Sequence, residues 1–264
     1  MKATVFLGGG RITGALAAGL RLAGYARAIV VYDRNPEKLQ ALRRESRVEI
    51  ARDLKSAVER AEMLIVAVRP GSVAELLDEV VACGAWPGLC VSLAAGIPLR
   101  KLCARLGPPA RWVRAMPSPV CRIGRGLTPV TFDRGLGKAE RSRVRKFFAL
   151  VGAVPEIPER QMDAITATHS PTHGYHALAT LAQAAEQAGL DRTLALTAAA
   201  HALSDGIAYW RHSGAELADL LHEAATPGGI AAATISAMDK AGYAKVVAKG
   251  LVAGIKQARR NAKR

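Results

Sequence analysis

Ala3-Thr-Val-Phe-Leu-Gly-Gly-Gly-Arg-Ile-Thr-Gly14 is a short apolar strand that runs straight into glycines and then opens an amphipathic helix (Ala15, Leu16, Ala18, Leu20, Leu22). Gly8 permits the tight turn, and Gly10 lets the backbone approach a pyrophosphate at the positive end of that helix. A second strand, Ala28 to Tyr32, ends at Asp33, about 20 residues past the glycines, where a dinucleotide fingerprint places its ribose-binding acid. Arg11, Ile12 and Thr13 fall in the first turn of the helix, at the phosphate-facing end. The third fingerprint position holds Thr13 in place of Gly or Ala, so the helix must pack there with a β-branched residue.

Strands and helices go on alternating beyond this unit. Ala61 to Val68 is almost continuously apolar, as a strand buried on both faces requires. A turn at Arg69-Pro70-Gly71 leads into a helix over Val73 to Val81. Leu89 to Leu93 reads as a strand, Pro98 to Leu106 as a helix, and Arg111 to Ala115 as a strand running into Met116-Pro117. Thr128 to Phe132 reads as an edge strand, Lys138 to Val151 as a helix, and Val154 to Ile157 as the strand that completes the sheet. The expected fold is α/β: a doubly wound Rossmann sheet over residues 1–158, followed by an all-helical domain over 159–264. Ligands of such sheets collect at the carboxyl ends of the strands. Those ends are Gly8 to Gly10, Asp33-Arg34-Asn35, Ala67-Val68-Arg69-Pro70, Ala95-Gly96 and Met116-Pro117-Ser118.

From Gln161 onward only Ala- and Leu-rich helical periodicity remains, broken at Gly189, Ser213-Gly214 and Thr226-Pro-Gly-Gly229. The stretch Leu194 to Ile207 is apolar around most of its circumference. Such a helix must be covered, which points to a homodimer or larger homo-oligomer formed through the helical domain.

Composition narrows the function classes. The chain has 264 residues, half of them hydrophobic, and no apolar run reaches the ~18 residues of a membrane span. The first strand begins at residue 3, which leaves no room for a leader, and four cysteines without C-x-x-C spacing fit a reduced, cytoplasmic protein. The net charge of +15 raises the question of nucleic acid. Arg exceeds Lys by more than two to one, however, and the basic residues are spread along the chain. The dense clusters, Arg141 to Lys146 and the tail Lys256 to Arg264, carry no interleaved base-stacking aromatics, so neither a nucleic-acid nor a membrane partner is expected.

The motifs together resemble the pyrroline-5-carboxylate reductase family over nearly the whole chain. Asp33-Arg-Asn-Pro-Glu-Lys38, Ala67-Val-Arg-Pro70, Ser92-Leu-Ala-Ala-Gly-Ile-Pro98, Arg114-Ala-Met-Pro117, Gln161-Met-Asp-Ala164 and Thr226-Pro-Gly-Gly229 follow the family's order and spacing. The resemblance implies a Rossmann domain, a helical domain that interlocks two subunits, and hydride transfer from NADPH or NADH to the C=N carbon of a cyclic imine carboxylate. It also implies that Thr226, with Gly228 and Gly229, grips the substrate carboxylate.

The substrate motifs depart from the family pattern. Met-Pro-Asn-Thr-Pro becomes Met116-Pro-Ser-Pro-Val120, and Ser-Gly-Ser-Gly-Pro-Ala-Tyr becomes His169-Ser-Pro-Thr-His-Gly-Tyr175. The family Thr two residues past Pro-Gly-Gly is replaced by Ala231, with Ile230 before it. An unusual reductase of the same imine, a reductase of another imine or keto substrate, and a non-catalytic NAD(P) sensor all remain open. A β-hydroxyacid-dehydrogenase-like enzyme fits less well, because its catalytic lysine finds no early counterpart: past residue 160 the first lysine is Lys240.

His169, His173 and His176 are spaced so that one continuous helix would align them on one face, but Pro171 opposes that continuity. His173 is a candidate proton donor or anion ligand, Tyr175 a candidate hydrogen-bond donor, and Thr172 a candidate substrate contact; a metal site is not expected. Asp33 favours the 2′-hydroxyl of NAD, whereas Arg34 and Asn35 suit the 2′-phosphate of NADP, and the basic surroundings tip the balance slightly to NADP. Ser118 would reach nicotinamide or cap the turn after Met116-Pro117.

Overall fold

The computed structural model describes residues 2–84 and 88–261; the last residues of the basic tail, 262–264, lie outside the described residues. The chain divides into two compact units, 1–169 with 254–264, and 170–253.

In the first unit β1 (Ala3–Leu7), α1 (Arg11–Leu22), β2 (Ile29–Tyr32), α2 (Pro36–Ser46), β3 (Glu49–Ile50), α3 (Leu54–Arg60), β4 (Ala61–Val66), α4 (Val73–Ala82), β5 (Leu89–Ser92), α5 (Leu99–Arg105) and β6 (Arg111–Ala115) alternate. They are followed by β7 (Gly126–Leu127), β8 (Val130–Phe132), α6 (Lys138–Ala149), β9 (Gly152–Ala153) and α7 (Met162–Thr168). Seven strands form one sheet in the order β3-β2-β1-β4-β5-β6-β8, parallel except for antiparallel β8 at the edge. The chain leaves β1 toward β2 on one side and returns to β4 on the other, so the switch point of the sheet lies at the glycine end of β1.

The period of two along each strand builds two cores. Phe6, Ile29, Val31, Ile65, Val91 and Val113 point to the layer of α1, α2 and α6, where they meet Leu16, Leu20, Leu42 and Phe148. Val5, Leu7, Val30, Leu64, Val66 and Trp112 point to α3, α4 and α5, against Val58, Leu77 and Leu102. Strands buried on both faces explain the nearly continuous apolar runs, and each such side chain contributes about 1.5–3 kcal/mol.

Two parts of the sheet differ from the sequence reading. β3 and α3, short and rich in charge, carry too little apolar periodicity to be seen. The expected strand over Val154 to Ile157 is a single bridge between Glu156 and Val130, because Pro155 and Pro158 have no N–H to extend a ladder. Ile157 N–H still donates to the Val130 carbonyl (2.9 Å), and β9 instead pairs with β7 in a separate two-stranded sheet.

The second unit is helical: α8 (Thr172–Gln187), α9 (Arg192–Ser213), α10 (Leu217–Ala224), α11 (Ile230–Lys240) and the first half of α12 (Tyr243–Asn261). α8 packs along α9 through small buried side chains, Ala182, Ala195 and Ala199. Leu194, Leu196, Ile207 and Trp210 of α9 are 42–51 % exposed. A single copy of this unit leaves uncovered the apolar face that periodicity assigns to burial. No helix among the described residues is long and apolar enough to cross a membrane.

Candidate dinucleotide and substrate sites

Gly8 sits at φ +113°, where a Cβ would come within 2.7 Å of the Ala67 carbonyl oxygen. Only glycine suits both that backbone and that approach. The Thr13 side chain is fully buried, and its hydroxyl donates to the Gly8 carbonyl at 2.6 Å. The β-branched residue at the third fingerprint position therefore ties helix to turn. The close helix packing that a glycine would serve there occurs at Gly19, whose Cβ would stand 2.0 Å from the Cys121 carbonyl oxygen.

Gly10 is the N-cap of α1 in extended conformation, and a Cβ on it would meet nothing within 4 Å. No side chain caps this helix and no acid lies in its first turn. By contrast, Asn35 caps α2 through Lys38 N–H (3.1 Å), and Asp53 caps α3 through Ser56 N–H (2.7 Å). The amides of Arg11, Ile12 and Thr13 thus crown a positive helix end that opens into clear space, an arrangement fitted to a pyrophosphate.

Asp33, at the end of β2, accepts from Gly9 N–H at 2.7 Å and from Asn35 N–H at 2.8 Å, one bond to each carboxylate oxygen. Its lone pairs stay oriented at the sheet end with capacity for a ribose hydroxyl. A cavity beside it is lined by Gly8, Tyr32, Asp33, Arg34, Val68 and Glu75. Arg34 Nη2 lies 3.1 Å from a Glu75 carboxylate oxygen and also pairs with Glu79; the hydrogen bond and charge of Glu75, then the charge of Glu79, raise its pKa above the ordinary value. Glu75 and Glu79 escape a sequence reading because they meet Arg34 only through the fold. Their spacing of four on one helix is the sole local sign.

The other strand-end residues have visible structural employment. Ala67 N–H donates to the Leu7 carbonyl (2.8 Å), and Arg69 leads into a single 3-10 turn at Pro70. Gly96, at φ +82°, leaves no space for a side chain: a Cβ would lie 2.0 Å from the Ala258 carbonyl oxygen. Ala95 offers its carbonyl to Asn261 at 3.5 Å. Met116 places its carbonyl 2.8 Å from His169 Nε2, while His169 Nδ1 lies 2.7 Å from the Ile165 carbonyl. Pro117 follows in the same turn, and the buried Ser118 hydroxyl accepts from Leu127 N–H at 3.2 Å. That bond fixes the loop after β6.

Behind this loop, Arg114 of β6 is almost fully buried. Its Nη1 donates to Glu159 at 3.1 Å and its Nη2 lies 3.6 Å from Asp163, while Nε has no hydrogen-bond partner. Glu159 also accepts from Leu99 N–H at 2.6 Å, at the start of α5. This knot ties sheet, α5 and the start of α7 together, and no local sequence pattern signals it.

In the second unit, Thr226-Pro-Gly-Gly229 turns α10 into α11. Gly228 is at φ +77°, and a Cβ on Gly229 would meet Thr226 Oγ1 at 2.8 Å. Gly229 N–H is committed to the Thr226 carbonyl (2.9 Å), so the amides left at the helix end are those of Ile230, Ala231 and Ala232, with no side-chain cap and no acid in the first turn. Thr172, His173 and Tyr175 lie in the first turn of α8, with His173 and Tyr175 exposed and Thr172 at the very start of the helix. The helix breaks at Ser170-Pro171: α7 ends at Thr168 with His169 as its cap, so the three histidines do not share one helix face. Among the described residues no group of three or more His, Cys, Asp or Glu is placed to hold a metal ion.

A Rossmann sheet whose first helix starts uncapped in clear space, followed by a helical unit, fits an NAD(P)-dependent oxidoreductase, the class that the similarities to known proteins show. Residues 4–96 match the NADP oxidoreductase coenzyme F420-dependent family, and residues 159–261 match the pyrroline-5-carboxylate reductase dimerisation family. The chain is 30 % identical to pyrroline-5-carboxylate reductase of Mycobacterium leprae (strain TN) over 272 residues, covering 94 % of this chain and 92 % of that one. It is 25 % identical to the Escherichia coli (strain K12) enzyme of the same name over 250 residues, covering 93 % of each. The chain belongs to the pyrroline-5-carboxylate reductase family. Its fold is also that of a Plasmodium falciparum pyrroline carboxylate reductase solved with NADP bound, with a TM-score of 0.88 at 19 % identity over 99 % of this chain and 98 % of that one.

Proposed function

We propose that this protein reduces the C=N bond of 1-pyrroline-5-carboxylate, a cyclic imine carboxylate, with NADPH or NADH, as in proline biosynthesis. The observation that carries the reading is the uncapped end of α1 beside Gly10, paired with near full-length similarity to reductases of that name. A reduced nicotinamide, when bound, supplies the hydride.

The residues of the chain bind and orient. Arg11, Ile12 and Thr13 present amides to the pyrophosphate, Asp33 meets a ribose hydroxyl, and Ala67 to Pro70, Ala95, Gly96 and Met116 to Ser118 form the remaining wall. The Thr226 hydroxyl and the first amides of α11 hold the substrate carboxylate, since two converging donors and a helix dipole suit an anion. His173 supplies the proton for the imine nitrogen, with Tyr175 and Thr172 as further hydrogen-bonding groups at the start of α8. Ala231 offers no hydroxyl where the family carries Thr, so more of the grip falls on Thr226. Two copies joined through α8 to α12 cover the apolar residues exposed on α9, and free cysteines at 83, 90, 103 and 121 suit the cytoplasm.

Thr226→Ala tests the substrate role. Loss of a hydrogen bond to a carboxylate, about 1.5–3 kcal/mol, should raise KM for the imine about tenfold or more and leave the dinucleotide Kd unchanged. An unaltered KM would remove Thr226 from the site.

A further inference from the structure

The cavity beside Asp33 and Arg34 carries an electrostatic arrangement that bears on which dinucleotide is used. Among the described residues lining it, Asp33 and Glu75 are the anions and Arg34 the cation. NADP differs from NAD by a phosphate on the adenosine ribose, a group of roughly −1.5 to −2 charge with three acceptor oxygens. A guanidinium is the fitting partner for such a group. Here that guanidinium is already engaged, 3.1 Å from Glu75 and paired with Glu79. The two carboxylates stand four residues apart on α4, so one helix face aims both at Arg34.

We propose that Glu75 and Glu79 determine coenzyme specificity by holding Arg34 away from a 2′-phosphate, and so restrain the use of NADPH relative to NADH. The inference rests on the dinucleotide reading above. A 2′-phosphate must either pull Arg34 off two carboxylates or sit beside their negative charge. A 2′-hydroxyl leaves the clamp closed and bonds Asp33. Because Arg34 and Glu75 are each 62 % exposed and Glu79 is 36 % exposed, water screens the clamp. Discrimination is therefore a matter of fold-change, and both dinucleotides bind.

The test is calorimetric titration of NADPH and of NADH into the wild type, Glu75→Gln/Glu79→Gln, and the same double variant carrying Arg34→Gln. In the double variant the NADPH Kd should fall about three- to tenfold while the NADH Kd moves less than twofold. Adding Arg34→Gln should abolish the gain. Equal shifts for both dinucleotides, or none, would overturn the clamp while leaving the dinucleotide site standing. A wild type that binds neither would overturn the dinucleotide reading, and the clamp with it.

Discussion

Gly10→Val should leave the protein folded and weaken binding of NADH and NADPH alike by about a hundredfold. The backbone of Gly10 is extended, with φ −80° and ψ −176°, and a Cβ there meets no protein atom within 4 Å. The cost to folding is the loss of a tolerated N-cap glycine, up to about 1 kcal/mol. The cost to binding is larger, because the side chain fills the space through which a pyrophosphate reaches the amides of α1. Losing two charge-assisted hydrogen bonds at about 1.5–3 kcal/mol each corresponds to at least two orders of magnitude in Kd. The informative contrast is Gly8→Ala, which strains a backbone at φ +113° and drives a methyl onto Ala67. That variant should lose stability first. A Gly10→Val protein with unchanged dinucleotide affinity would show that the glycine end of α1 is an ordinary turn.

Arg114→Ala should destabilise the fold by about 2–4 kcal/mol, because it cuts back a buried side chain and takes the shared cation from two partly exposed carboxylates. Only 4 % of the Arg114 side chain is exposed, and its loss leaves Glu159 and Asp163 facing each other without the shared cation. It also leaves a cavity behind β6 that the neighbouring strands cannot collapse to fill. Denaturant midpoints at fixed protein concentration measure the effect, since an oligomer's stability depends on concentration. Arg114→Lys should fall between, because one ammonium cannot span two carboxylates as a guanidinium does. A loss below about 1 kcal/mol for Arg114→Ala would mean that the knot contributes nothing beyond surface pairing.

Local patterns make the glycine turn after β1 and the uncapped start of α1 legible in the sequence alone. Glycines at 8 and 10 after an apolar strand, with an acid closing the next strand, are a short-range signal tied to chain geometry. The same holds for strands buried on both faces, such as β4, whose composition by itself demands two covering layers. What escapes is non-local. Arg34 finds Glu75 and Glu79 only because β2 and α4 meet at the same rim of the sheet. Arg114 finds Glu159 and Asp163 across 45 and 49 positions in sequence. The hydroxyl of Thr13 is legible as a departure and not as a tie to Gly8, since its use depends on the shape of the turn. The histidine spacing suggests one helix face, and Ser170-Pro171 divides it. Prolines at 155 and 158 likewise decide against a strand that apolar content favours.

The substrate half is where physical reasoning and family pattern pull apart. α11 begins after Thr226 and two glycines, yet Ala231 in its first turn carries no hydroxyl. On the proposed function, Thr226 and the first amides of α11 orient the carboxylate without that hydroxyl.

The most direct measurement is oxidation of NADPH and NADH at 340 nm with 1-pyrroline-5-carboxylate, run beside the six-membered piperideine-2-carboxylate. Turnover of the five-membered imine with either dinucleotide is the expected result. Tight dinucleotide binding without turnover of that imine would contradict it.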